Sequence, residues 1–380
     1  MQSEQGRGIQ RAGVIGTGRI ANRFMPEAGF ADGIHVQAVY NPHLESARRF
    51  AARWGLDACG DLTDFFRRVD LVYIASPHET HAAYIKAALE HGKHVLCEKP
   101  LALKGEQAKE LFAYAERQNH VLFEGIKTAY CPGFGKILEI ARSGSIGTIR
   151  YVEACFTKLE SGDSRELTDR MYGGSFTELG SYCLLPVIKL LGNGFEDVRF
   201  ESIKGENGLD VFTKASFRYP GALATAICGL GVKAEGRLMI SGTKGYITAE
   251  APWWKTTDMK VHYENPLEVE KYSEPFLGDG LRYEIRAFAD RVNEVENSAR
   301  AGKKVWETRD SIDFRGLCDS CNVGLTPEDS IALADIMGRF METEFLTALV
   351  LDTCSQLPEP PQPKQSVSKP SQPKSGKRKS

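Results

Sequence analysis

Residues 11–22 read RAGVIGTGRIAN, and the order of side chains within them decides the fold class. Ala12–Ile15 is an apolar run too short for a helix and is stopped at once by Gly16-Thr17-Gly18, which predicts a buried parallel strand entering a tight turn. From Arg19 the apolar positions Ile20, Phe24 and Met25 recur at helical spacing. Strand, glycine turn and helix form the setting in which G-x-G-x-x-G/A has a physical meaning: backbone amides and the positive helix end face a pyrophosphate, and the glycines let it come close. The third position here is Ala21, still small enough to pack helix against strand. The stretch therefore predicts a dinucleotide cradle built by Gly16, Thr17, Gly18, Arg19 and Ile20.

The whole chain suits an enzyme of two domains, since 380 residues can bury two cores. A formal charge of −2 and a pI near 6.5 give no reason to expect nucleic acid or an anionic membrane as partner. Residues 1–10 are polar, no apolar run reaches membrane-spanning length, and the expected location is the cytoplasm. Nine scattered cysteines read mostly as free buried thiols. Cys318 and Cys321 form a C-x-x-C without nearby His or a second Cys pair, so no metal site is expected.

Taken in order, residues 35–40 (HVQAVY) predict a second strand, after which Asn41 is placed to cap a helix beginning at Pro42. The residue closing this strand usually reads the adenosine ribose. Asn41 neither binds the 2′-hydroxyl as an acid would nor repels a 2′-phosphate; His43, Arg48 and Arg49 follow, the arginines also suiting a solvated helix face. NAD and NADP both stay open. Residues 61–69 predict a short helix and Leu71–Ala75 a continuously apolar strand. Its polar exit, with Ser76, Pro77 and His81, lies at a sheet edge where ligands bind, although His81 also fits an ordinary helix start. A helix over 80–91 leads to a fourth strand, His94–Cys97, and then to Glu98-Lys99-Pro100; a helix over 105–119 and a strand at 120–123 follow.

GTGRIA, then SPHETHAAYIKAALEHGKHVLCEKPLAL, then IGTIRYVEACF, is a sequence order that resembles the Gfo/Idh/MocA oxidoreductases over residues 10–350, with HVLCEKP the most specific segment. The resemblance implies an α/β fold. An N-terminal Rossmann doubly wound parallel sheet over 10–128 would be followed over 129–350 by an α/β domain with an open, mostly antiparallel sheet for substrate binding and oligomerisation. It also implies NAD or NADP as cofactor and hydride transfer to or from a hydroxyl or carbonyl carbon of a sugar, polyol or related compound. A homodimer or homotetramer is implied as well, its number not fixed.

Within that picture Lys99 donates to a substrate oxygen and lowers the pKa of a neighbouring acid, and Glu98 joins the cofactor site. Residues 124–136 (EGIKTAYCPGFGK) form the crossing; Glu124 and Lys127 line the cleft or serve only as crossover residues. After a strand reaching Thr157 and a polar, substrate-side loop at 158–171, GGSFTELGSYCLLPVIKLLG puts Glu178 and Tyr182 four residues apart on one helical face. Many members of the resembled family carry Asp and His there. Branches resembling dihydrodiol dehydrogenase and glucose-fructose oxidoreductase carry a tyrosine at the second position, so Tyr182 becomes the acid–base group, with Lys99 beside it and Glu178 orienting substrate or lysine; a buried aromatic on a core helix is the other reading.

Residues 197–261 predict an antiparallel meander with a turn at 241–245. Trp253 and Trp254, read as strand neighbours, face opposite sides, so that one is core and the other is offered outward, as a subunit interface or a sugar-stacking surface. A helix spans 278–290 with Arg282 near its start as a substrate contact, and Leu325–Glu328 starts a last helix running to about Met341. Residues 356–380, with six basic side chains and one acidic, predict a disordered tail. The departures at Glu178 and Tyr182 leave one alternative to an enzyme: a non-catalytic dinucleotide-binding sensor of the same fold.

Overall fold

The structure is a computed structural model and describes residues 10–301 and 324–355. Cys318, Cys321 and the 356–380 tail lie outside the described residues.

The first half alternates strand and helix: β1 (Gln10–Ile15), α1 (Arg19–Ala28), β2 (Ile34–Tyr40), α2 (Leu44–Trp54), β3 (Asp57–Cys59), α3 (Leu62–Arg68), β4 (Leu71–Ile74), α4 (His81–Glu90), β5 (His94–Glu98), α5 (Gly105–Arg117) and β6 (Leu122–Gly125). The six strands are parallel in the order β3-β2-β1-β4-β5-β6. Every residue of β4 and of β5 is buried, as helices on both faces require. The order reverses between β1 and β4, and that switch point opens the crevice in which such sheets bind ligands. Gly16 makes the turn there at φ 103°, and a Cβ on it would strike the Ala75 carbonyl, so only glycine fits.

The second half begins with α6 (Pro132–Arg142), β7 (Ile149–Thr157), α7 (Arg165–Thr168) and α8 (Ser175–Leu191). The meander follows: β8 (Asp197–Lys204), β9 (Asp210–Tyr219), β10 (Ala222–Gly229), β11 (Leu238–Gly242), β12 (Gly245–Ala249), β13 (Asp258–Tyr263) and β14 (Val269–Ser273). Two helices complete it, α9 (Leu281–Arg300) and α10 (Pro327–Ser355). The eight strands lie in the order β14-β13-β12-β11-β7-β10-β9-β8, antiparallel except at β7–β10. Helix α8 packs on β7, β9 and β10 and is buried on nearly all sides between Ser175 and Ile188. Among the described residues no helix is long and apolar enough to cross a membrane.

Five expectations need correction. His94–Glu98 is the fifth strand, because the three-residue edge strand β3 precedes it with only Cys59 buried and so has no apolar run to announce it. Helix α2 starts at Leu44, after His43, since Asn41 spends its side chain elsewhere: Oδ1 accepts from the His43 N–H (2.9 Å) and Nδ2 donates to Thr17 Oγ1 (3.0 Å). The crossing contains α6, with Pro132 in its first turn. Trp253 and Trp254 occupy a 3₁₀ turn, Trp253–Lys255, rather than a strand. Finally, α9 and α10 run on to Arg300 and Ser355; at the start of α10, Thr326 and Asp329 cap each other reciprocally (2.9 and 3.2 Å).

Candidate active site

A cleft of about 1140 Å³ opens at the switch point, walled by the carboxyl ends of β1, β4 and β5 on one side and by β7, α7 and α8 on the other. It gathers the glycine turn, Asn41, Ser76, Pro77, His81, Glu98, Lys99, Lys127, Glu178 and Tyr182, which are far apart in sequence. Arg282 is not in its lining: Glu27 holds the guanidinium at 2.6 Å and Phe30 lies 3.9 Å beneath it, so it ties α9 to α1. Glu124 lies outside it as well, bonded to the Leu101 N–H behind β5.

At the α1 end no side chain caps the helix, and a Cβ added to Gly18 would meet no protein atom within 4 Å. Uncapped first-turn amides beside an empty Cβ position fit a dinucleotide pyrophosphate. A side pocket of about 280 Å³ adjoins Thr17 and is lined by Asn22, Ser46, Arg49, Phe50 and Arg53. Arg53, which the sequence did not bring forward, reaches it one helical turn beyond Arg49; Arg48 is not in this lining.

The chemistry collects at the other end. The Lys99 side chain is nearly buried, and its Nζ donates to the Glu178 carbonyl (2.8 Å), stands 3.2 Å from Glu178 Oε2 and lies 5.8 Å from the centre of the Tyr182 ring. Contrary to the expectation that Lys99 lowers a neighbouring acid, burial, followed by the negative charges of Glu98, Glu284 and Glu178, holds the Tyr182 phenol well above its ordinary value. His78 Nε2 lies 3.7 Å from Glu178 Oε2, but burial and the Lys99 charge keep that imidazole neutral. His81 is fully buried with Nδ1 2.8 Å from the Pro100 carbonyl and Nε2 2.9 Å from that of Ser76. Burial lowers its pKa, and the neutral imidazole has one N–H to donate, to one of these two carbonyls, from its place between the loop after β4 and the segment carrying Lys99. Burial pushes Lys127 down, and its Nζ donates to the Asp279 carbonyl at 2.6 Å.

The second half adds an aromatic wall. Tyr182 meets Phe156 edge-on (5.3 Å, 66°), and Phe156 stacks flat on Trp254 (3.5 Å, 9°). Trp253 is fully buried with its Nε1 on the Cys155 carbonyl, so one tryptophan is core and the other faces the cleft. Gly236 allows this, since a Cβ there would strike the Trp254 indole. Among the described residues no cluster of His, Cys, Asp and Glu could hold a metal ion.

Comparison with known proteins agrees with this geometry. Residues 10–126 match the GFO/IDH/MocA oxidoreductase family, NAD-binding Rossmann fold, and residues 134–248 match the GFO/IDH/MocA C-terminal domain. The scyllo-inositol 2-dehydrogenase (NADP(+)) IolU of Bacillus subtilis is 31% identical over 295 residues, 75% of this chain and 88% of that protein. The trans-1,2-dihydrobenzene-1,2-diol dehydrogenase of Xenopus laevis is 28% identical over 283 residues, 72% and 86% of the two chains. Among solved structures, the 3-ketoreductase KijD10 of Actinomadura kijaniata with NADP and TDP-benzene superposes with a TM-score of 0.69 at 24% identity, covering 86% and 95%. With both halves matched in sequence and in fold, the chain belongs to the GFO/IDH/MocA family of NAD(P)-binding oxidoreductases.

Proposed function

We propose that this protein is an NAD(P)-dependent dehydrogenase or reductase that moves a hydride between the nicotinamide and a hydroxyl or carbonyl carbon of a sugar, polyol or related compound. The observation that carries this reading is the cluster of Lys99, Glu178 and Tyr182 in the cleft that also holds the glycine turn. A phenol raised well above its ordinary value is protonated at neutral pH and is an acid. In reduction, Tyr182 gives its proton to the substrate oxygen as the carbon receives the hydride, and Lys99 stabilises the charge on that oxygen until the proton arrives. Oxidation uses the same groups in reverse and needs higher pH. A sensor would need the cradle but has no use for this cluster.

Two finer points belong to the same reading. No acid follows β2, and Arg49 and Arg53 flank the side pocket, which supports NADP over NAD. The face of the second sheet away from α8 aligns Leu223, Tyr151 and Tyr246 across three strand pairings, with Leu223 and Tyr246 exposed; this supports self-association, tested by light scattering on the eluting protein.

Activity is tested by absorbance in the reduced-nicotinamide band, with NAD and NADP against sugars, polyols and dihydrodiols. The expected result is turnover with NADP that collapses in Lys99→Ala and Tyr182→Phe. Unchanged turnover in Tyr182→Phe would remove the tyrosine from the chemistry, and tight cofactor binding with no turnover on any substrate would favour a sensor.

A further inference from the structure

Most cations of the cleft wall are already matched. Arg19 pairs with Glu166, Arg165 with Glu79 and Lys99 with Glu178. Lys233 and Lys255 differ. Lys233, on the loop between β10 and β11, donates to the Thr157 carbonyl at 3.0 Å, and Lys255 lies 5.9 Å from the centre of the Phe276 ring. Neither has a carboxylate within ion-pair distance among the described residues, although the Asp279 charge reaches Lys255 from further off, and both line the cleft; Lys127, which also has no ion pair, is buried and donates to the Asp279 carbonyl.

Their position is specific. Thr157, which holds Lys233, follows Phe156 in the chain, and Lys255 follows Trp254; the two rings are stacked on each other. Lys99, Tyr182, Phe156 and Trp254 therefore run as one continuous wall from the reacting end of the cleft, and the two lysines adjoin its last two rings, Lys233 through the Thr157 carbonyl and Lys255 as the residue after Trp254. Both come from the second half, whereas the pyrophosphate cradle is on α1 of the first. An ammonium has three donors, and Lys233 spends one on Thr157. A neutral polyol would add no negative charge beside Lys233, and would leave Lys255 only the more distant Asp279.

We propose that the substrate is anionic: it carries a phosphate or carboxylate that Lys233 and Lys255 bind, while the Phe156–Trp254 wall takes the apolar face of its ring. This rests on the oxidoreductase reading and extends it, assigning a substrate subsite beside the Phe156–Trp254 pair.

The test is binding to the full chain saturated with NADP, followed by calorimetry, with UDP-glucose as the phosphate probe, glucuronate as the carboxylate probe and glucose as the neutral control. At least one anionic probe is expected to bind tenfold or more tighter than glucose, with an affinity that falls as salt rises. The Lys233→Gln/Lys255→Gln double variant is expected to erase that preference, and Lys233→Arg/Lys255→Arg to restore most of it, with NADP affinity unchanged as the control for folding. Glucose binding as tightly as both anions, no binding by any probe, or a preference that survives the double Gln substitution would overturn the proposal. Lysine-dependent binding together with no hydride transfer on any substrate of the absorbance panel would keep the subsite and remove the dehydrogenase reading, so the two fail separately.

Discussion

Lys99 Nζ lies over the ring of Tyr182, 5.8 Å from its centre, and Glu178 holds it there twice, through its carbonyl at 2.8 Å and its carboxylate at 3.2 Å. The carbonyl is fixed by helix α8, so only the carboxylate half of this grip is open to side-chain substitution. Glu178→Gln should leave cofactor affinity intact and slow single-turnover hydride transfer about 10-fold. Lys99→Ala should slow it about 10²–10⁴-fold. A Glu178→Gln enzyme as fast as wild type would show that the carbonyl alone positions the lysine.

Two ion pairs cross the cleft in opposite senses. Arg19, next to the glycine turn, reaches Glu166 at 2.5 Å, and the neighbouring Arg165 reaches back to Glu79 at 2.9 Å. Together they strap α7 to the glycine turn and to the loop after β4. Each is partly exposed and worth about 0.2–1 kcal/mol. Arg165→Ala/Glu166→Gln should therefore speed NADP release about two- to thirty-fold in stopped flow, and the difference should shrink in high salt. Equal release rates at low salt would mean that the pairs do not retain the cofactor.

The two glycines of the turn serve different needs. Gly16 combines φ 103° with the Ala75 carbonyl at its back, so Gly16→Ala should lower thermal stability by several kcal/mol as well as abolish binding. Gly18 has φ −76° and no protein atom near its missing Cβ, so Gly18→Ala should fold with unchanged melting temperature and lose tenfold or more in NADP affinity. Unimpaired NADP binding by Gly18→Ala would show that the pyrophosphate does not approach this position.

What could be read from the sequence follows from how local its cause is. The glycine turn, the all-apolar β4 and the Glu178–Tyr182 spacing each lie within a few residues, where steric rules and helical periodicity act. Helix α6 was hidden because Gly133 and Gly135 punctuate its first turn, although Phe134, Ile137, Leu138 and Ala141 bury one face. Trp254 on Phe156 and Lys233 on Thr157 left no local trace at all, since sheet pairing and the seat left by Gly236 bring them together. Arg282 shows the converse. Its place at the start of α9 suggested substrate, but Glu27, from α1, claims it.

Behind the Lys99 segment, Glu124 is 2% exposed and accepts the Leu101 N–H at 3.0 Å. Burial pushes its carboxyl up to about 7 from an ordinary 4.5, partly offset by the Leu101 N–H, while its Oε2 is buried without a hydrogen-bond partner. Below about pH 4.5 it is protonated in the folded and unfolded chains alike, and the folded state carries no penalty. As pH rises from there to about 7 the unfolded chain loses this proton first, so stability falls, and above 7 the deficit is constant; a separation of that size corresponds to about 3 kcal/mol. Glu124→Gln keeps the acceptor for Leu101, offers an N–H to Ser330 and cannot ionise. Urea denaturation should find the variant about 1–3 kcal/mol more stable at pH 8, with the gain fading towards pH 4. A gain of equal size at both pH values would show that the benefit is packing, and a loss at pH 8 that the ionised carboxylate is itself needed to hold the loop at Leu101.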